Sequence, residues 1–167
     1  MTTFLSGLMP GLPNLHPAVV HFPLALLPAA VLFDLVLLVW ARAGWADRAA
    51  AWLYALSAIG ALVAARAGEA AEESVGALAP AARALLHEHE RLADRAIWLL
   101  AALAILRAIA TWRDRRTDVV PRGIFRLILL AGGFAAIALL ASVADHGGRL
   151  VYRHSVAVTA PPPDGNR

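Results

Sequence analysis

Cysteine is absent from the 167-residue chain. Disulfides, thiolate metal sites, iron–sulfur clusters and a covalently attached c-type haem, which needs C-x-x-C-H, are thereby excluded. Any cofactor must be held by histidine, carboxylate or backbone oxygen. Lysine is absent too, so all fifteen basic residues are arginine. They gather at the ends of apolar blocks. The net charge of +3 and the pI near 10.5 therefore describe membrane topology, and no nucleic-acid partner is expected. Met1 to Leu15 carries no positive charge to form the n-region of a signal peptide, so no cleaved leader is expected. There is no phosphate loop, nucleotide fingerprint or nucleophile–base pair. No catalytic residue is assigned, and an electron-transfer or accessory role is favoured over a stand-alone enzyme.

What the chain has in excess is apolar surface: 60% of residues are apolar and the mean hydropathy is +0.64. Soluble domains sit at roughly 45–50% apolar. The excess falls in four blocks, the pattern of bilayer-spanning helices. The expected fold is an all-α, integral membrane four-helix up-down bundle. A single domain over 1–160 has spans at about 17–40, 49–67, 84–112 and 122–145, followed by a disordered tail at 161–167. The 84–112 helix begins as an amphipathic segment, LLHEHERLADR, and enters the bilayer from about Ala96.

Pro23 and Pro28 each remove a backbone hydrogen bond and are expected to kink the first span, freeing the carbonyls of Val19 and Leu24. Gly60, Ala64 and Gly68 give the second span a stripe of small residues at four-residue spacing, which lets helices approach closely. Gly132, Gly133 and Ala136 do the same on the fourth. The segment RLVYRHSVAV has strand-like alternation.

Orientation follows from arginine in the short connections. Arg42 and Arg48 lie between spans one and two. Arg107, Arg113, Arg115, Arg116, Arg122 and Arg126 lie at or between the ends of spans three and four. By the positive-inside rule these connections are cytoplasmic and both termini face outward, across a bacterial inner membrane. All six histidines then share the outward side: His16 and His21 at the first span, His87 and His89 at the third, His146 and His154 after the fourth. Glu69, Glu72, Glu73, Glu88, Glu90 and Asp145 share it too.

At about 100° per residue, the charged neighbours of His89 occupy the far arc of its helix, while Leu92, Ala93 and Ala96 share its own arc. His89 is therefore expected to face the bundle interior and His87 the solvent. His16 precedes a proline and is expected outside the helix. His146 is expected at a chain turn made by Gly147 and Gly148.

One histidine on each of two helices at one bundle end is how b-type haem is held. His21 and His89 are the expected axial ligands, with His146 as substitute and with His16, His154 and Glu90 completing the candidate set. The same groups suit a divalent metal, and in a cofactor-free accessory subunit of a larger membrane complex they would act as helix caps. Within the bilayer, Asp34 and Arg107 are expected to form an ion pair, because charged residues in a span face inward and pair.

The segments LHPAVVHFPLALL, HEHERLA and HGGRLVYRHSVAV resemble the bacterial membrane family catalogued as domain of unknown function 2231. That family has four expected spans, an HPxxVHFP opening, a His-Glu element before the third span and a GG-x-LVY-x-HG-x-GV close. The resemblance covers most of the chain and picks out His16, Pro17, His21, Phe22, Pro23, His89, Glu90, Gly147, Gly148, Leu150, Val151, Tyr152 and His154. Ser155 and Ala157 stand where the family tends to have glycine. Because members are sometimes fused to Rieske-type or c-type cytochrome domains, the resemblance implies a place in membrane electron transfer. It points to a cytochrome-b-like protein that binds haem b and works between a membrane quinol and a periplasmic Rieske or c-type partner.

Overall fold

The proline-rich opening folds as two helical pieces, α1 (His16–Val19) and α2 (His21–Val39), which meet at Val20. Pro23 has no N–H to offer the Val19 carbonyl, so the hydrogen-bond ladder is interrupted there. Val20 itself keeps right-handed helical angles (φ −60°, ψ −23°), so the helical phase carries across the interruption. α2 then runs on through Pro28. Three longer helices follow: α3 (Gly44–Glu72), α4 (Pro80–Thr117) and α5 (Ile124–His154). The computed structural model describes residues 15–40, 43–72, 75–117 and 124–156, apart from the side chains of 114–117 and 124. Arg42, Arg122, the side chains of Arg115 and Arg116, and the 161–167 segment expected to be disordered lie outside the described residues.

The protein is an all-α bundle, with no strand among the described residues. α2 packs on α3 and α5, and α4 packs on the same two helices from the other side. α2 and α4 are thus one diagonal of the bundle, and α3 and α5 the other. Three helical stretches, His16–Val39, Gly44–Glu72 and Phe125–His154, are long and apolar enough to cross a bilayer. α4, with 38 residues, carries the fourth apolar block.

In each of those three stretches only 28–33% of the most apolar window is buried inside the bundle. Most of the apolar surface therefore faces outward, as a lipid environment requires. Leu27, Ala30, Val31, Tyr54, Leu100, Leu103, Leu129 and Ala136 form the interior.

Small residues set the helix separations. A Cβ on Gly133 would lie 2.6 Å from Val31 Cγ2 and 2.9 Å from the Tyr54 hydroxyl. A Cβ on Gly132 would lie 2.7 Å from Leu103 Cδ2, the far end of a flexible side chain. Gly133→Ala should therefore destabilise the bundle by about 1–3 kcal/mol, the usual range for an overpacked core. Gly132→Ala should cost less. Unfolding midpoints in mixed detergent–SDS micelles measure both, and equal costs would show that α5 is free to shift away from α2.

The end of α5 departs from expectation. In place of a strand-like tail after a turn at Gly147–Gly148, the helix runs on through His154. It stops at Ser155, whose φ of +51° is left-handed. There the Ser155 N–H donates to Val151 O and the Val156 N–H to Leu150 O, satisfying terminal carbonyls. The alternation of Leu150, Tyr152 and His154 lost to helix continuity because Gly147 and Gly148 are tolerated within a helix held by tertiary contacts. Glycine is the residue best suited to a left-handed helix end, and here serine fills that place.

Candidate functional site

Two histidines from opposite helices meet at one end of the bundle. His16 opens α1 and His89 lies in α4; their ring centroids are 6.4 Å apart and their planes cross at 78°. Each ring is fixed by a carbonyl of a third helix. His16 Nδ1 lies 2.7 Å from Ala64 O on α3. His89 Nδ1 lies 3.0 Å from Val143 O on α5. A ring nitrogen this close to a carbonyl bonds to it only as a donor, so each Nδ1 carries a proton.

Glycines give the rings their room. A Cβ on Gly68 would lie 3.1 Å from His16 Nδ1, and one on Gly147 would lie 3.2 Å from His89 Cε1. The small-residue stripe on α3 is thus the dock for the proline-rich opening. Gly60 receives Phe22 and Pro23, Ala64 supplies the carbonyl, and Gly68 receives the His16 ring. His89 precedes the apolar stretch of α4 that begins near Ala96. Burial holds its imidazole below the usual histidine range, against the pull of the Val143 carbonyl, with His16 and His146 adding to the lowering.

The other candidates are placed less centrally. His21 is exposed, and its Nδ1 lies 2.6 Å from Pro17 O on its own helical stretch. The ring that packs against His89 is that of His16 and not that of His21. His16 is not outside the helix as expected. Pro17 occupies the first turn, where its missing N–H is not needed, so α1 begins at the histidine. His146 Nδ1 lies 2.8 Å from Ser142 O one turn back. Glu90 faces His87 (Nδ1 to Oε2 3.3 Å) and Glu72 at the rim. His154 is exposed at the end of α5. Among the described residues no three His or carboxylate side chains converge on a point that could hold a metal ion.

A flat cofactor gripped by two imidazoles makes a smaller demand. His16 and His89 are the residues that would hold such a group, each with Nδ1 anchored on a carbonyl, the usual support of imidazole ligands.

A second polar centre lies at the other end of the bundle. Arg107 Nε is 3.0 Å from Asp34 Oδ1, and Arg107 Nη2 is 2.8 Å from Asp47 Oδ1. All three side chains are at least nine-tenths buried. Arg126 adds a hydrogen bond to the Leu37 carbonyl. Asp47 was not expected here. It precedes the second expected span at about 49–67, but α3 begins at Gly44 and places Asp47 in the first turn, facing inward. Its sequence signal was an acid at a helix N-terminus beside Ala43, Ala46 and Ala50, all of them buried.

Fold and site together define a polytopic helical membrane protein with a histidine pair at one end and a buried ion cluster at the other. The chain matches, over residues 12–160, the family model described as "Predicted membrane protein (DUF2231)", and it belongs to that family. No curated protein and no solved structure matches it.

Proposed function

We infer that the protein is a small cytochrome-b-like membrane protein that holds haem b between His16 and His89. The observation that carries this reading is the pair itself: two rings from opposite helices, 6.4 Å apart, each anchored through Nδ1 to a carbonyl of a neighbouring helix. The iron would supply one-electron redox chemistry. The chain's own residues would bind it, hold Nδ1 of both imidazoles on carbonyls and half-bury both rings. His146 and Glu90 lie near enough to tune the charge around the site.

In this reading the arginine-rich end is cytoplasmic and the histidine end faces the periplasm of a bacterial inner membrane. Electrons pass between a membrane quinol and an exported Rieske-type or c-type cytochrome. A divalent-metal site is the weaker reading, because it needs three or more ligands on one ion.

The test is spectroscopic. The chain, produced with haem supply and purified in mild detergent, should give a sharp reduced α-band and a stoichiometric pyridine haemochrome of haem b. His89→Ala should lose both. A colourless but folded preparation would sink the reading. Metal analysis of that same sample would then separate an ion site from an accessory subunit without cofactor.

A further inference from the structure

The arginine-rich end carries a groove that neither the histidine pair nor the ion cluster uses. It lies between α3 and α4, measures about 260 Å³, and is lined by Arg48, Ala51, Trp52, Ala55, Ala108, Thr111 and Trp112. The helical spacing explains it. Positions 48, 51, 52 and 55 form one face of α3, and 108, 111 and 112 form the facing stripe of α4. Alanines make the floor and two tryptophans make the walls.

The Thr111 side chain lines this groove and is only 5% exposed, yet among the described residues its hydroxyl has no hydrogen-bond partner. A threonine within a helix ordinarily donates to the carbonyl one turn back, and a buried hydroxyl left unpaired is costly. Thr111 is one turn beyond Arg107, towards the membrane surface. Trp52 and Trp112 are 68% and 56% exposed, as side chains at headgroup depth are.

We propose that this groove is a binding site for an anionic phospholipid. Arg48 at the rim pairs with the headgroup phosphate, the Thr111 hydroxyl donates to an ester carbonyl, and an acyl chain lies over Ala51, Ala55 and Ala108 between the tryptophans. Charge complementarity selects this occupant. The lining holds one cation and no acid, and a basic rim above an apolar cleft between spans suits anionic headgroups.

Native mass spectrometry of the full chain, released from detergent containing equimolar phosphatidylglycerol and phosphatidylcholine, tests the site. Wild type should retain phosphatidylglycerol about fivefold over phosphatidylcholine, the selectivity one surface arginine supplies. Arg48→Gln, at an exposed position, should bring the ratio close to one. Thr111→Val should lower retention of both lipids and leave the ratio intact, because both carry the ester carbonyl. Arg91→Gln, at the opposite end of the bundle, should change nothing. Equal retention of the two lipids by wild type, or a ratio unchanged in Arg48→Gln, would overturn the proposal. So would release as a lipid-free dimer, which would assign the groove to a second copy of the chain.

Discussion

Arg107→Met is expected to destabilise the bundle by about 3–5 kcal/mol, the cost of removing one partner from a buried ion pair. The guanidinium serves two carboxylates at once, with Asp34 at 3.0 Å and Asp47 at 2.8 Å. Without it both acids remain in the interior and lose the guanidinium they share. The Arg126 guanidinium is engaged with the Leu37 carbonyl. Water cannot restore their solvation cheaply, because the cluster lies within the apolar bundle and its side chains are 3–8% exposed. The triple replacement Arg107→Met, Asp34→Leu, Asp47→Leu should recover most of the loss, since an apolar isostere of a buried ion cluster is often no less stable. Unfolding midpoints in mixed detergent–SDS micelles give the comparison. A single Arg107→Met variant within about 1 kcal/mol of wild type would mean that the pair behaves as a surface salt bridge does.

This cluster also shows what sequence could and could not reveal. Charge inside an apolar block is conspicuous, so Asp34 and Arg107 could be paired from their depth alone. Asp47 could not, because it lies between Trp45 and Arg48, where a loop acid and a helix-opening acid read alike. The apolar blocks located the helices, yet gave no warning that α5 continues past Gly147. Helix propensity treats glycine as a breaker, whereas here a helix neighbour, the His89 ring, needs the space a side chain would fill. The stripe Gly60, Ala64, Gly68 was legible as a docking surface. What it docks, the proline-rich opening of the same chain, depends on contacts far apart in sequence.

The identity of the inward histidine on the first span was the least legible point, though a signal existed. His89 and Arg107 are eighteen residues apart, five whole helical turns, so they share a face. His16 and Asp34 have the same separation, and Val20 stays helical, so the phase survives the interruption at the prolines. His21 is thirteen residues from Asp34, about 220° around an ideal helix. It must face away if Asp34 faces in. The structure obeys this arithmetic: Asp34 is buried and His21 is exposed.

From that phase follows the second large effect. His16→Ala should abolish the b-type spectrum, whereas His21→Ala should leave haem content and α-band position unchanged. The imidazole at position 21 is committed to the Pro17 carbonyl 2.6 Å away on its own stretch of helix. The imidazole at position 16 stands 6.4 Å from the His89 ring. His16→Met sharpens the test, because a thioether can replace one imidazole and raises the reduction potential of the iron. That variant should keep haem, shift the midpoint upward in redox titration and alter the reduced spectrum. A chain bearing haem that is lost with His21 and kept without His16 would refute the phase argument. It would require α1 and α2 to turn about Val20 when the cofactor binds. Haem retained in both alanine variants would place it away from the opening altogether, and His89 paired with His146 would then be the arrangement left to examine.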